Sequence, residues 1–443
     1  LPIFLLSKTL DVERLVNRLI VQYLIERIAR RGGGFTFGMS RAKYSSIFLE
    51  RDALQTFGDA GDQRYPWLDA VRGLAAFIVV LSHTAAFVMF DNKELWATAQ
   101  LPPFGLLFSG HQAVIVFFVL SGFALYLMCE RASLTAGTFL KARFVRIYLP
   151  YLAALIIASA TLKIPFWSGV EWPRLETGLV PRGSFSLSAF VNHVFLIGHF
   201  SPKLINPPIW SLVYEMRLSI VFPFIFWIVA RTSAATLIGP ILFSCALSAA
   251  LYFPTLNKTI VDDGKLLDSL RTIHFAGMFF IGAYVAKYRT QIVLWAIHRS
   301  RGVLWAFGAT AVGVYFYSFG YSWPQWPRYI GELFTAAAAA GFISLAVASP
   351  IAVPAPLRRL GRISFSLFLI HYPVMHIVEI YGHGRLNGWT LWIVAVSGSL
   401  ISADLFLRFV ERPSHSMSKR IQKENQPLKA ASLVEDFPGA AAS

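Results

Sequence analysis

Tyr65-Pro66-Trp67-Leu68-Asp69-Ala70-Val71-Arg72-Gly73-Leu74-Ala75-Ala76-Phe77-Ile78-Val79-Val80-Leu81-Ser82-His83 begins with a proline and an acidic residue, as a first helical turn does, and carries no charge from Gly73 to Leu81. Continued to Phe90, the apolar stretch from Leu68 is long enough for a helix to cross the roughly 30 Å hydrocarbon core of a bilayer. Arg72 and His83 lie eleven positions apart. At 100° and 1.5 Å per residue they return to within about 20° of one azimuth and stand about 16 Å apart along the axis. One face of this helix therefore carries a guanidinium near the membrane boundary and an imidazole about half a bilayer deep.

Similar windows recur along the chain, at 104–128, 147–163, 209–230, 234–253, 272–287, 302–319, 329–349, 363–381 and 389–410. They predict an all-α polytopic membrane bundle of about ten transmembrane helices. The stretch 186–200 is short, contains His193 and His199, and reads as interfacial or re-entrant. With 56% hydrophobic and 14% charged residues among 443, and a mean hydropathy of +0.55, a soluble enzyme is excluded on composition. Two cysteines, Cys129 and Cys245, supply neither a disulfide framework nor a cysteine-rich metal site, and no metal is expected. The net charge of +16 reads as topology signal rather than as a nucleic-acid surface. Placing both termini in the cytoplasm puts basic residues such as Arg143, Arg146, Arg289, Arg301, Arg358 and Arg362 in short inner connections.

Residues 1–64 form an N-terminal cytoplasmic extension. Val12, Leu15, Val16, Leu19, Ile20, Tyr23, Leu24 and Ile28 recur at helical spacing among arginines, as in a surface amphipathic helix. The chain begins with Leu1, and Gly32–Gly34 precede Met39, so residues up to 38 equally fit translated upstream sequence. No signal-peptide cleavage pattern is visible. The transmembrane domain covers 65–413, and the polar, Ala/Ser-rich 414–443 reads as a flexible cytoplasmic tail.

Ionisable groups inside spans are costly and mark functional positions. Asp69, three residues before Arg72, is placed to orient it. Arg143 and Arg146, also at i,i+3, join Arg72 on one membrane face, where three guanidinium groups suit a phosphate-bearing ligand. Ser121 and Gly122 are small enough for close helix approach. His111 and Gln112 lie nearer the outer end. Glu215 and Arg217, two residues apart, cannot share a face, so each needs a partner on another helix or in water. His371 and Asp404 are further buried polar candidates. Pro373 should kink its helix and free a carbonyl that needs another donor.

The Arg72-to-His83 spacing, Phe117-Phe118-Val119-Leu120-Ser121-Gly122-Phe123, Arg143-Phe144-Val145-Arg146-Ile147-Tyr148, Trp210-Ser211-Leu212-Val213-Tyr214-Glu215, Ser364 to His371 and Glu411-Arg412-Pro413 occur in one order. Over about 68–413 the chain thereby resembles the membrane-bound acyltransferase-3 family. The resemblance implies an O-acyltransferase of a bacterial inner membrane, moving an acyl group, usually acetyl, from cytoplasmic acyl-coenzyme A to a hydroxyl of a cell-surface or exported glycan. It implies no permanently bound cofactor; acyl-coenzyme A, most simply acetyl-coenzyme A, is co-substrate, and the partners are the lipid bilayer and the glycan acceptor. By resemblance His83 and Arg72 are the catalytic pair, and Arg72, Arg143 and Arg146 meet the donor. Asp69, Ser121, Glu215 and His371 stand in supporting or acceptor-side positions. Met216-Arg217-Leu218-Ser219-Ile220 departs from the aromatic pair many members carry after this glutamate. A proton-coupled transporter is the alternative class for ten spans with intramembrane His, Asp and Glu, although no second half repeats the Arg72–His83 arrangement.

Overall fold

The computed structural model describes residues 65–424, apart from 165–186, 196–204, 248–264, 320–326 and the positions 90–91, 100, 102, 132–134, 234–235, 237 and 245. The 1–64 extension and residues 425–443 lie outside the described residues. What is described is all helical: α1 (Pro66–Thr84), α2 (Gly110–Arg131), α3 (Ala136–Thr161), α4 (Trp210–Arg231), α5 (Lys265–Lys287), α6 (Arg301–Phe319), α7 (Pro327–Ala348), α8 (Ala355–Gly382), α9 (Gly388–Phe406) and α10 (Arg412–Glu424), with short helices between them.

Seven helical stretches among the described residues are long and apolar enough to cross a membrane: Pro66–Val88, Gly110–Glu130, Ala136–Thr161, Pro207–Arg231, Tyr329–Ala348, Ala355–Gly382 and Gly388–Glu424. The chain is an integral membrane protein. The expected spans 272–287 and 302–319 coincide with helices α5 and α6, which are not among the seven; α5 carries Asp268, Arg271 and His274 in its first half. The expected 234–253 span lies partly outside the described residues. Within 186–200 the described part is an eight-residue helix, Leu187–Val194, about 12 Å long and too short to cross. Tyr148 and Tyr151 of α3 hold it by donating to the carbonyls of Val194 (2.9 Å) and His193 (2.5 Å).

Two boundaries differ from expectation. Helix α3 starts eleven residues before 147, capped by Thr135, whose hydroxyl accepts from the Thr138 N–H at 3.2 Å. Lys141, Arg143 and Arg146 thus belong to the helix, because long basic side chains let an apolar helix extend past the membrane boundary. The expected flexible tail is helical as far as Glu424. Ser414 and Ser418, one turn apart, donate to the α3 carbonyls of Val145 and Ala142, each at 2.7 Å, and dock α10 on α3. A π-helical turn, Leu407–Glu411, joins α9 to α10. Pro413 lacks an N–H and crowds the carbonyl four residues earlier, while the Arg412 N–H reaches back five residues to Leu407.

Glycine contacts set the helix crossings. A Cβ on Gly73 would fall on the backbone of Gly361, and one on Gly361 on the backbone of Asp69, so α1 and α8 touch main chain to main chain. Gly122 and Gly282 interlock α2 and α5 in the same way, against Phe279 and Val119. Pro373 breaks the ladder of α8, and the Leu369 carbonyl four residues earlier accepts from Asn206 Nδ2 at 3.3 Å. This is the external donor that the freed carbonyl requires.

Candidate active site

The Gly73–Gly361 contact aligns α1 and α8 in parallel. Ten residues farther along each helix His83 meets His371: Nδ1 of His83 lies 2.9 Å from Nε2 of His371, with ring planes within 5°. The tautomers follow from the hydrogen-bond chain. His371 Nδ1 lies 3.1 Å from the Leu367 carbonyl, which only accepts, so Nδ1 carries the proton and Nε2 of the neutral ring is an acceptor. His83 Nδ1–H then donates to it, and the lone pair of His83 is left on Nε2. His371 is fully buried while His83 is partly exposed. Tyr372 stands edge-on to both rings, with centroids 6.5 Å away. A neutral imidazole fixed in one tautomer, its free nitrogen away from the fixing partner, is the arrangement of a general base.

The basic cluster forms at the Pro66 end of the bundle. Arg72 is ion-paired with Asp69, one turn earlier on α1. Arg143 is ion-paired with Glu215 of α4, and its Nε donates to Ser219 at 3.4 Å. Ser121 of α2 donates to the same Glu215 oxygen at 3.2 Å. Arg146 and Arg143 lie within electrostatic reach of Arg72, as do Glu215 and Glu411. The arginine side chains thus converge from α1 and α3, paired with carboxylates of α1 and α4 and within electrostatic reach of the π-turn. Glu411, on that turn, accepts from Ser366 of α8 at 2.5 Å. Glu215 and Arg217 find partners on different helices: Arg143 on α3, and Asp268 on α5 at 2.8 Å from Arg217.

Sequence reasoning does not single out Glu332, His274, His376 or Glu379. Glu332 of α7 is buried between two imidazoles, 2.6 Å from His111 Nε2 and 2.7 Å from His274 Nε2, and His111 stacks on Trp210. Their separations of 221 and 58 residues carry no local signal. His376 and Glu379 are buried on α8, one and two turns beyond Tyr372; their i,i+4 and i,i+7 spacing was visible but reads equally as a packing face. Asp404 pairs with Arg408 of the adjoining π-turn at 2.5 Å and takes no part in either cluster.

Comparison with known proteins gives this geometry its context. The family model for the acyltransferase domain of the acyltransferase-3 type matches residues 65–408, a span that takes in both histidines and the three arginines. The chain is 28% identical over 378 residues to acyltransferase MdmB of Streptomyces mycarofaciens, covering 78% of this chain and 88% of that protein. It is 29% identical over 170 residues to protein 2 in the picA locus of Rhizobium radiobacter, covering 36% of this chain and 81% of that one. No solved structure matches. The chain belongs to the acyltransferase-3 family of membrane-bound acyltransferases.

Proposed function

We propose that the protein transfers an acyl group, acetyl in the simplest case, from cytoplasmic acyl-coenzyme A to a hydroxyl of a cell-surface or exported glycan, in a bacterial inner membrane with both termini cytoplasmic. The observation that carries this reading is the chain from the Leu367 carbonyl through His371 to His83, which leaves a lone pair on His83 Nε2 one helical face above the arginine cluster.

In this reading the donor's phosphates dock on Arg72, Arg143 and Arg146, and its thioester arm extends along α1 over the roughly 16 Å to His83. Asp69 and Glu215 hold two of the guanidinium groups in place before the donor arrives. As the acceptor oxygen attacks the thioester carbonyl, His83 Nε2 takes the hydroxyl proton. The C–S bond breaks when the tetrahedral intermediate collapses, and His83 returns the proton to the departing thiolate, so ester and thiol form with no net proton change. His371 touches neither substrate; it positions His83 and shares the positive charge of the transient imidazolium. A covalent variant has Nε2 attack the thioester carbonyl and expel the thiolate, forming an acyl-imidazolium; the acceptor hydroxyl then takes the acyl group and its proton goes to the thiolate.

The test is transfer of radiolabel from acetyl-coenzyme A into envelope glycan, comparing membranes with wild type and His83→Ala at matched levels of folded protein. Labelling by wild type alone is expected. Equal labelling by both would remove His83 from the chemistry, and a trapped acyl-imidazole on His83 would select the covalent variant.

A further inference from the structure

Beyond His371, α8 continues toward the Thr84 end of the bundle, away from the arginines. Tyr372, His376 and Glu379 share one face of it at i, i+4 and i+7, with 1%, 0% and 3% exposure. Among the described residues, the Tyr372 hydroxyl, His376 Nε2 and Glu379 Oε1 are buried with no hydrogen-bond partner. Buried polar groups without partners are rare and costly, and three on one helical face call for a ligand.

Their chemistry specifies it. Thr161 of α3 donates its hydroxyl proton to the Ala158 carbonyl at 2.7 Å. It therefore accepts from His376 Nδ1, 3.0 Å away, which leaves His376 Nε2 as an acceptor. The Tyr372 phenol offers a donor, within electrostatic reach of Glu379, and Glu379 offers carboxyl oxygen. The rings form a continuous series: Tyr372 lies 6.5 Å from His83 and 4.7 Å from His376 by centroid. A hydroxyl group both donates and accepts, so a molecule with several neighbouring hydroxyls can satisfy all three atoms. A purely apolar ligand would leave them unpaired.

We propose that Tyr372, His376 and Glu379 form a sugar subsite that brings the acceptor hydroxyl to His83 from the end of the bundle opposite the arginines. The subsite rests on the reading of His83 as the acyl-transfer base, and deepens it by naming the residues that recognise the acceptor.

Full-length protein in lipid nanodiscs is titrated with the methyl glycosides of glucose, galactose and mannose, and binding is read from the thermal unfolding midpoint. In parallel, label transfer from acetyl-coenzyme A is measured at varied concentrations of the glycoside that binds. Wild type and His83→Ala are expected to be stabilised by at least one glycoside. Tyr372→Phe and Glu379→Gln, both nearly isosteric, should unfold at or above the wild-type midpoint without sugar, since each removes an unpartnered buried group, yet need at least tenfold more glycoside for the same shift. Their KM for glycoside should rise by a similar factor while the KM for acetyl-coenzyme A stays unchanged. No stabilisation of wild type by any of the three, or equal affinity in the variants, overturns the subsite. Stabilisation that the variants lose, with no label transferred by wild type, keeps the subsite and sinks the acyl-transfer role of His83.

Discussion

Replacing His371 by leucine tests the tautomer chain at its middle link. The substitution fills much of the imidazole's volume and removes the acceptor 2.9 Å from His83 Nδ1. Without that acceptor His83 either keeps Nδ1–H unpaired or moves the proton to Nε2, where it can no longer act as base. One hydrogen bond between buried groups is worth about 1–3 kcal/mol when its partner is left unsatisfied, which converts to a roughly 5- to 150-fold loss of rate. The loss should fall on kcat, since His371 lies about 16 Å along the helices from the arginine cluster, and the KM for acetyl-coenzyme A should stay within about twofold. His371→Gln supplies an amide oxygen near the position of Nε2 and should recover most of the rate. The assay is steady-state label transfer with protein levels matched by folded fraction. A His371→Leu variant at wild-type kcat, or a glutamine variant as slow as the leucine one, would refute the positioning role.

Arg72→Ala should raise the acyl-coenzyme A requirement by about tenfold or more, with the protein still inserted, through loss of one charge-assisted phosphate contact of about 1.5–3 kcal/mol; unchanged donor dependence removes Arg72 from the donor site. Glu215→Gln takes the counter-charge from Arg143 and should lower both thermal midpoint and activity, by about 1.5–3 kcal/mol of lost ionic hydrogen bonding; activity near wild type would show the pair to be tolerated rather than required. Gly361→Ala forces a methyl group onto the Asp69 backbone. The overpacking cost is about 1–3 kcal/mol, expected as a lower unfolding midpoint and, because α1 must move, as weakened catalysis at unchanged expression.

Much of this site could be read from one helix at a time. The eleven-residue repeat from Arg72 to His83, the i,i+3 pair Arg143 and Arg146, and the carbonyl freed by Pro373 are properties of a single helix, and helical periodicity is written in sequence. The transporter alternative, equally compatible with intramembrane charge, falls to the family match over residues 65–408. What stayed hidden depends on contacts between distant segments. Glu332 meets His111 and His274 only because α2, α5 and α7 pack together. The start of α3 was misplaced because its basic residues depress a hydropathy window that the helix itself ignores. Helix α10 looked like a tail because its polar composition conceals two serines, one turn apart, that face the α3 backbone.

Helix α8 also bears on how the protein is made. Within its most apolar window 83% of the residues are buried inside the protein, and it carries His371 in its interior, with His376 and Glu379 toward its C-terminal end. A segment with those groups enters lipid poorly by itself, since intramembrane ionisable groups cost several kcal/mol on insertion. Of the segments that pack on it, α1, α3 and the Asn206 loop are translated earlier and α9 later. During synthesis α8 therefore meets a partly built bundle that already offers hydrogen-bond partners for Leu369, His371 and His376. Its insertion depends on that bundle, so early helices that fail to associate would leave α8 outside the membrane.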